Sequence, residues 1–146
     1  MALLYILGVK KSTHNTINNV FTLCYIFVEV IVVKANADKY VSIVSAWEFT
    51  AKHSLGKLDL DGGISGFFQI LDENGFNILG VERVYVHQLA HLPIIHHDPF
   101  DRMLISTALA EEMRLATADQ NIRKYDVAQV WQRPLIIGIN FETTQT

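Results

Sequence analysis

The acids best placed to do chemistry lie in and around His96 to Asp119. The stretch reads His-His-Asp-Pro-Phe-Asp-Arg-Met-Leu-Ile-Ser-Thr-Ala-Leu-Ala-Glu-Glu-Met-Arg-Leu-Ala-Thr-Ala-Asp. Asp98 stands where a helix N-cap belongs, Pro99 suits the first helical position, and Asp101 falls at N3 beside the orphan N–H groups. Apolar residues at 100, 104, 105, 108 and 109 keep helical spacing, which predicts one buried face. Glu111 and Glu112 then give way to Leu115-Ala116-Thr117-Ala118, a strand-sized run with Asp119 at its exit. In an open α/β sheet the strand ends and helix starts gather on one edge, where ligand sites form. Asp101 and Asp119 can meet there although a helix separates them. Carboxylates so gathered repel one another, and a divalent cation that favours hard oxygen ligands, Mg²⁺ or Mn²⁺, relieves the repulsion. The competing role for each acid is capping, with Asp101 at N3 and Asp119 as the N-cap of a following helix.

The elements that must position these acids have to fit in 146 residues, enough for one domain with a real core and too few to expect two. Half the residues are hydrophobic and 18% are charged, a globular balance and not a disordered one. A formal charge of −3 is no electrostatic footprint for strong nucleic-acid binding, though local contact with RNA remains open. The one cysteine, Cys24, excludes an internal disulfide and a cysteine-based zinc site, and fits a reducing cytoplasm. Repeats and low-complexity tracts are absent.

Residues 1–40 hold no arginine or proline and only two acids, Glu29 and Asp38. Leu3-Leu4-Tyr5-Ile6-Leu7, ending at Gly8, suits a central first strand. Lys10 to Asn19 is polar and amide-rich, a loop or weak helix. Val20 to Val33 is β-branched and aromatic with one charge. It is shorter than the ~20 apolar residues of a membrane-spanning helix, so a buried strand or a buried helix is expected. Met1 is followed by no basic region, which speaks against a secretory signal.

From Tyr40 the pattern sharpens. Tyr40 to Val44 alternates as a strand, and Ser45-Ala46-Trp47-Glu48 opens a helix that Gly56 ends as a C′ residue. Ser45 and Glu48 have the spacing of a capping box, which gives Glu48 a purely structural role as one alternative. Asp59 to Gly66 is a glycine-rich turn without the spacing of a phosphate loop. Phe67, Phe68, Ile70 and Leu71 form one face of a short helix stopped at Asn74-Gly75. Phe76 to Leu79 is the next strand. Val81 to Leu92 is a helix with Val84, Tyr85 and Leu89 inward and Val86 as a further candidate. His87 and His91 have zinc-capable i, i+4 spacing, but Gln88 stands where a metalloprotease motif needs glutamate, so surface histidines are expected. His96 and His97 offer hydrogen-bonding groups beside the Asp98 cap. Gln120 to Tyr125 predicts a short helix, and Val127 to Trp131 a last strand. The tail from Arg133 to Thr146 carries a strand-like piece at 135–139 that could pair along the sheet edge or cover another chain.

Asp98-Pro99-Phe100-Asp101-Arg102 and Thr117-Ala118-Asp119 resemble motifs of the PIN domain, in particular of the VapC kind of toxin ribonuclease. Glu48 and Leu55-Gly56-Lys57-Leu58 upstream are similar to that family too. The resemblance implies a PIN-like three-layer α/β/α fold with a central parallel sheet, as a single domain over 1–146. Residues 1–40 are its atypical segment and 133–146 an extension. It implies a metal-dependent endoribonuclease, the toxin of a toxin–antitoxin system, cutting single-stranded or structured RNA. Mg²⁺ or Mn²⁺ would be held by Glu48, Asp101 and Asp119, with Glu48 as ligand or general base. Thr117 would hydrogen-bond a bound water or a neighbouring carboxylate, and Lys57 and Asp98 would lie near substrate. The implied partners are a small antitoxin, whose C-terminal arm crosses the acidic edge, and a second copy in a homodimer, in the cytoplasm and away from membranes. One departure matters. Relatives open with a strand leading into an Asp-Thr-His-like turn, and Gly8 stands about where the first acid belongs. Ser12-Thr13-His14 echoes the motif without an acid, and Glu29 is the remaining candidate replacement. The alternative is therefore a PIN-like scaffold impaired in catalysis, which binds an antitoxin or itself.

Overall fold

Five short parallel strands make the sheet on which the acids are arranged. The computed structural model describes residues 2–5, 38–59, 62–117 and 119–131. β1 (Ala2–Tyr5) lies at the centre, as its unbroken apolar sequence requires in a parallel sheet. β2 (Asp38–Ser42) and β3 (Asn77–Leu79) extend the sheet on one side, and β4 (Arg114–Thr117) and β5 (Gln129–Trp131) on the other. The order is β3-β2-β1-β4-β5, every pair parallel. Tyr5 is in register with Val41 on one side and Ala116 on the other. Ser42 and Thr117 thus stand one step further along, flanking the exit of β1. The chain steps outward from β1 to β3 and then returns past β1 to β4. That reversal puts a topological switch point between β1 and β4, with its crevice at the carboxyl ends of the strands.

Among the described residues four α-helices follow from the pattern: α1 (Ile43–Ser54), α2 (Gly63–Glu73), α3 (Arg83–His91) and α4 (Pro99–Ala110). α1 starts earlier than the capping-box spacing suggests. Its N-cap is Ser42, whose Oγ accepts the Val44 N–H at 3.1 Å, so β2 ends and the helix begins without a loop. Ser45 is then inside the helix, and Glu48 lies in its second turn with no capping role. At the other end Gly56 takes φ 66°, and the Gly56 and Lys57 N–H groups bond the His53 and Lys52 carbonyls at 2.9 Å each. This is the glycine-stopped end expected there.

α2 begins at Gly63, within the stretch expected to be a turn, because Gly62 at φ 72° enters it from the left-handed region. Its Phe67 meets Phe49 of α1 edge to face, with ring centroids 5.3 Å apart, and Asn74 and Gly75 stop it as anticipated. In α3 the inward face is Tyr85, fully buried, with Leu89 half-buried. Val84 and Val86 are exposed, contrary to expectation. Tyr85, Leu89 and Leu92 share one helical stripe, and the valines beside Tyr85 are turned about 100° off it. α4 matches its sequence closely: Leu104, Ile105 and Ala108 are wholly buried, and Phe100 and Leu109 are partly so. These residues pack with Val44, Leu92, Met113, Leu115, Ile122 and Tyr125 in the main core. The helix expected over 120–125 is only a 3₁₀ turn, Ile122–Lys124.

Gly8, Ser12-Thr13-His14, the polar stretch from Lys10, Val20 to Val33, Glu29 and the tail from Arg133 lie outside the described residues. Among the described residues no helix is long and apolar enough to cross a membrane.

Candidate active site

α4 runs back against the strands, so its N-terminus returns to their carboxyl edge. There the Asp98 Oδ1 accepts the Phe100 N–H at 2.9 Å and the Asp101 N–H at 3.3 Å, and Pro99 occupies the first turn. The cap fixes the backbone beneath Asp101. The Asp101 carboxyl is largely buried and its pKa is pushed up to about 6. Burial is the main cause, followed by the negative charge of Asp98. A hydrogen bond from His96 opposes the rise, and the charges of Asp119 and Glu48 add to it. Asp101 therefore feels the charges of Glu48 on α1 and of Asp119 after β4 at this edge.

Glu48 is buried, only 6% exposed, and pairs with Lys52 one turn on. Beside it, Trp47 meets the Phe100 ring edge to face at 5.2 Å. Since Trp47 precedes Glu48 and Phe100 precedes Asp101, that contact ties the two acid-bearing turns together. Asp119 follows β4 and accepts the Asn121 N–H at 2.8 Å, closing an Asx-type turn. It is not the N-cap of a helix, since Asn121 takes that position before the 3₁₀ turn. Thr117 is buried, and its Oγ1 accepts the Asp119 N–H at 3.0 Å. Lys57 is exposed beyond the end of α1, nine positions past Glu48. His87 and His91 are exposed, with His91 Nδ1 2.9 Å from the His87 carbonyl, as expected of surface histidines.

Sequence reasoning missed the partner of Asp101. His96 Nε2 lies 2.9 Å from Asp101 Oδ2. His96, Asp98 and Asp101 each place a ligand atom within 4.8 Å of the others, the one such trio among the described residues. Glu48 and Asp119 face this group without joining that spacing. The only signal in the sequence was a histidine two residues before the cap. Two of these three groups are carboxylates, and Glu48 and Asp119 add further carboxylate charge at Asp101, so the oxygen donors present fit a hard divalent cation.

The PIN domain family model matches residues 24–128. This chain belongs to the PIN domain family. No curated protein matches it. Among solved structures, its fold is similar to VapBC2 from Rickettsia felis bound to a DNA fragment from its promoter, with TM-score 0.63 and 12% identity over 90% of this chain and 99% of that one. It is also similar to VapBC-1 from nontypeable Haemophilus influenzae, with TM-score 0.58 and 14% identity over 89% and 96% of the two chains. At such identities these likenesses establish the PIN fold, an α/β architecture on a parallel sheet.

Proposed function

We propose that this PIN-domain chain is the toxin component of a toxin–antitoxin pair and a metal-dependent endoribonuclease. The observation that carries the reading is Asp101, a largely buried carboxyl raised by burial and by three facing acids. A carboxyl shifted by burial and by charged neighbours at a strand edge is the kind of group that clusters at functional sites. Glu48, Asp101 and Asp119 are the residues that would hold Mg²⁺ or Mn²⁺. The cation would neutralise charge on the phosphoryl oxygens of RNA and lower the pKa of water there. Asp98 serves by fixing the turn beneath Asp101. Thr117 orients the Asp119 turn, and its hydroxyl would donate to a bound water or a neighbouring carboxylate. Lys52 balances the buried charge of Glu48. Lys57, exposed, is a cation available to the RNA backbone.

The VapBC likenesses support a small antitoxin as partner. Val81, Val84, Val86, Ile94 and Ile95 are exposed around α3, apolar surface that supports contact with a protein, an antitoxin or a second copy. A cytoplasmic setting and a single domain over 1–146 belong to the same reading. Gly8 favours a second one, a PIN scaffold that lacks its first acid and acts only by binding.

Cleavage of a labelled single-stranded RNA in Mn²⁺ separates them. Under the nuclease reading the parent cuts and Asp101→Asn loses at least about 100-fold, the scale of losing one charge-stabilising group. A silent parent that Gly8→Asp activates identifies the scaffold. Cleavage that survives Asp101→Asn would sink both.

A further inference from the structure

Resting on the metal-site reading above, we infer that His96 is a positioning residue that holds the Asp101 carboxylate turned toward a divalent cation. Asp101 has its backbone fixed by the Asp98 cap, but the cap leaves its carboxylate free to rotate. His96 removes that freedom. Its Nε2 engages Oδ2 at 2.9 Å, so Oδ1 is the oxygen outside this bond. A carboxylate anchored by one oxygen presents the other without a further entropy cost when a cation arrives.

The ring can do this because its own backbone is held. The His96 N–H donates to the Tyr125 hydroxyl at 2.9 Å, and the Ile95 N–H approaches the same oxygen at 3.3 Å. Tyr125 is buried in the main core, so the anchor is rigid. Arg102, one turn into α4, reaches back to the Pro93 carbonyl at 2.8 Å and the Leu92 carbonyl at 3.2 Å, with Tyr125 Oη at 3.3 Å. The segment from Leu92 to His96 has no helix or strand of its own, yet it is pinned from α4 and from the connection between β4 and β5. The neighbouring acids, which repel Asp101, have partners of their own. Glu48 pairs with Lys52, and Asp119 accepts from Asn121. This gives Arg102 and Tyr125 a role too: they set where His96 stands.

The test is a Mn²⁺ titration followed by electron paramagnetic resonance, on the full chain and on His96→Leu, His96→Gln, Tyr125→Phe and Asp101→Asn. His96→Leu is expected to weaken Mn²⁺ binding by about 10- to 100-fold, the usual cost of losing a partner that orients a ligand. His96→Gln keeps an N–H donor and should recover most of that loss, whereas a merely structural role would not be rescued. Tyr125→Phe leaves the ring but loosens its backbone, and should fall between the two. Thermal melts confirm that the variants are folded. Parent-like binding by His96→Leu overturns the inference, as does Gln behaving no better than Leu. An imidazole nitrogen coupling to Mn²⁺ in the parent overturns it as well, because His96 would then be a ligand. If Asp101 governs binding while His96 is indifferent, this inference alone fails. If the parent binds no Mn²⁺, or Asp101→Asn binds as well as the parent, the metal reading fails and takes the inference with it.

Discussion

Asp101 is a residue held against its own preference, and that has a measurable consequence. An aspartate raised from 3.8 to about 6 binds its proton more tightly in the folded chain than in the unfolded one. Its favourable contribution is complete below about pH 4, declines as pH rises through 6, and is absent above. Without metal, the parent should therefore lose melting temperature between pH 4 and 7. Asp101→Asn should flatten that slope and be more stable than the parent at pH 7 by on the order of 2 kcal/mol. Melts of both proteins in chelator across that range check it, and an asparagine variant less stable at pH 7 would contradict it. At this scale the Asp98 cap before Asp101 and the strand exit before Asp119 were legible in the sequence, because both are local signals. His96 was not, since its tie to Asp101 runs through an extended segment with no period to read and depends on Tyr125, which is remote in sequence.

At the scale of elements, the two ends of the site differ in how plainly they are written. α4 could be read because its cap, proline and apolar spacing agree. The start of α1 misled because Ser45 and Glu48 imitate a capping box while Ser42 does the capping. The difference can be tested. Ser42→Ala should cost about 1 kcal/mol, the worth of an N-cap. Ser45 is wholly buried, and its Oγ has no partner among the described residues. Ser45→Ala should therefore be neutral or stabilising by up to about 1 kcal/mol, because an unpaired polar atom leaves the interior. Denaturant melts of the two variants decide, and a destabilised Ser45→Ala would restore the capping box. α3 shows a different limit. Its valines are apolar but off the buried stripe, and in nine residues the periodicity is too short to tell Val84 from Leu89.

At the scale of the whole molecule, the parallel sheet explains why a chain of only −3 charge can still be locally acidic. Strands that all point one way send their exits, and the helix starts that follow, to one edge, so acids spread from Glu48 to Asp119 come together there. The core borders this edge, since Phe100 and Tyr125 pack with Leu104, Ile105 and Leu115. A cation that binds the edge binds only the folded chain, since the unfolded chain separates the acids. Binding must then appear as stability: Mn²⁺ at 100 times its dissociation constant should add about 2.7 kcal/mol, a shift of several degrees in melting temperature. Asp101→Asn should lose most of the shift, and sodium chloride at the same ionic strength should give little, because it only screens exposed charge. Equal stabilisation by sodium, or a Mn²⁺ shift indifferent to Asp101, would mean that the acidic edge is screened as a surface and not filled as a site.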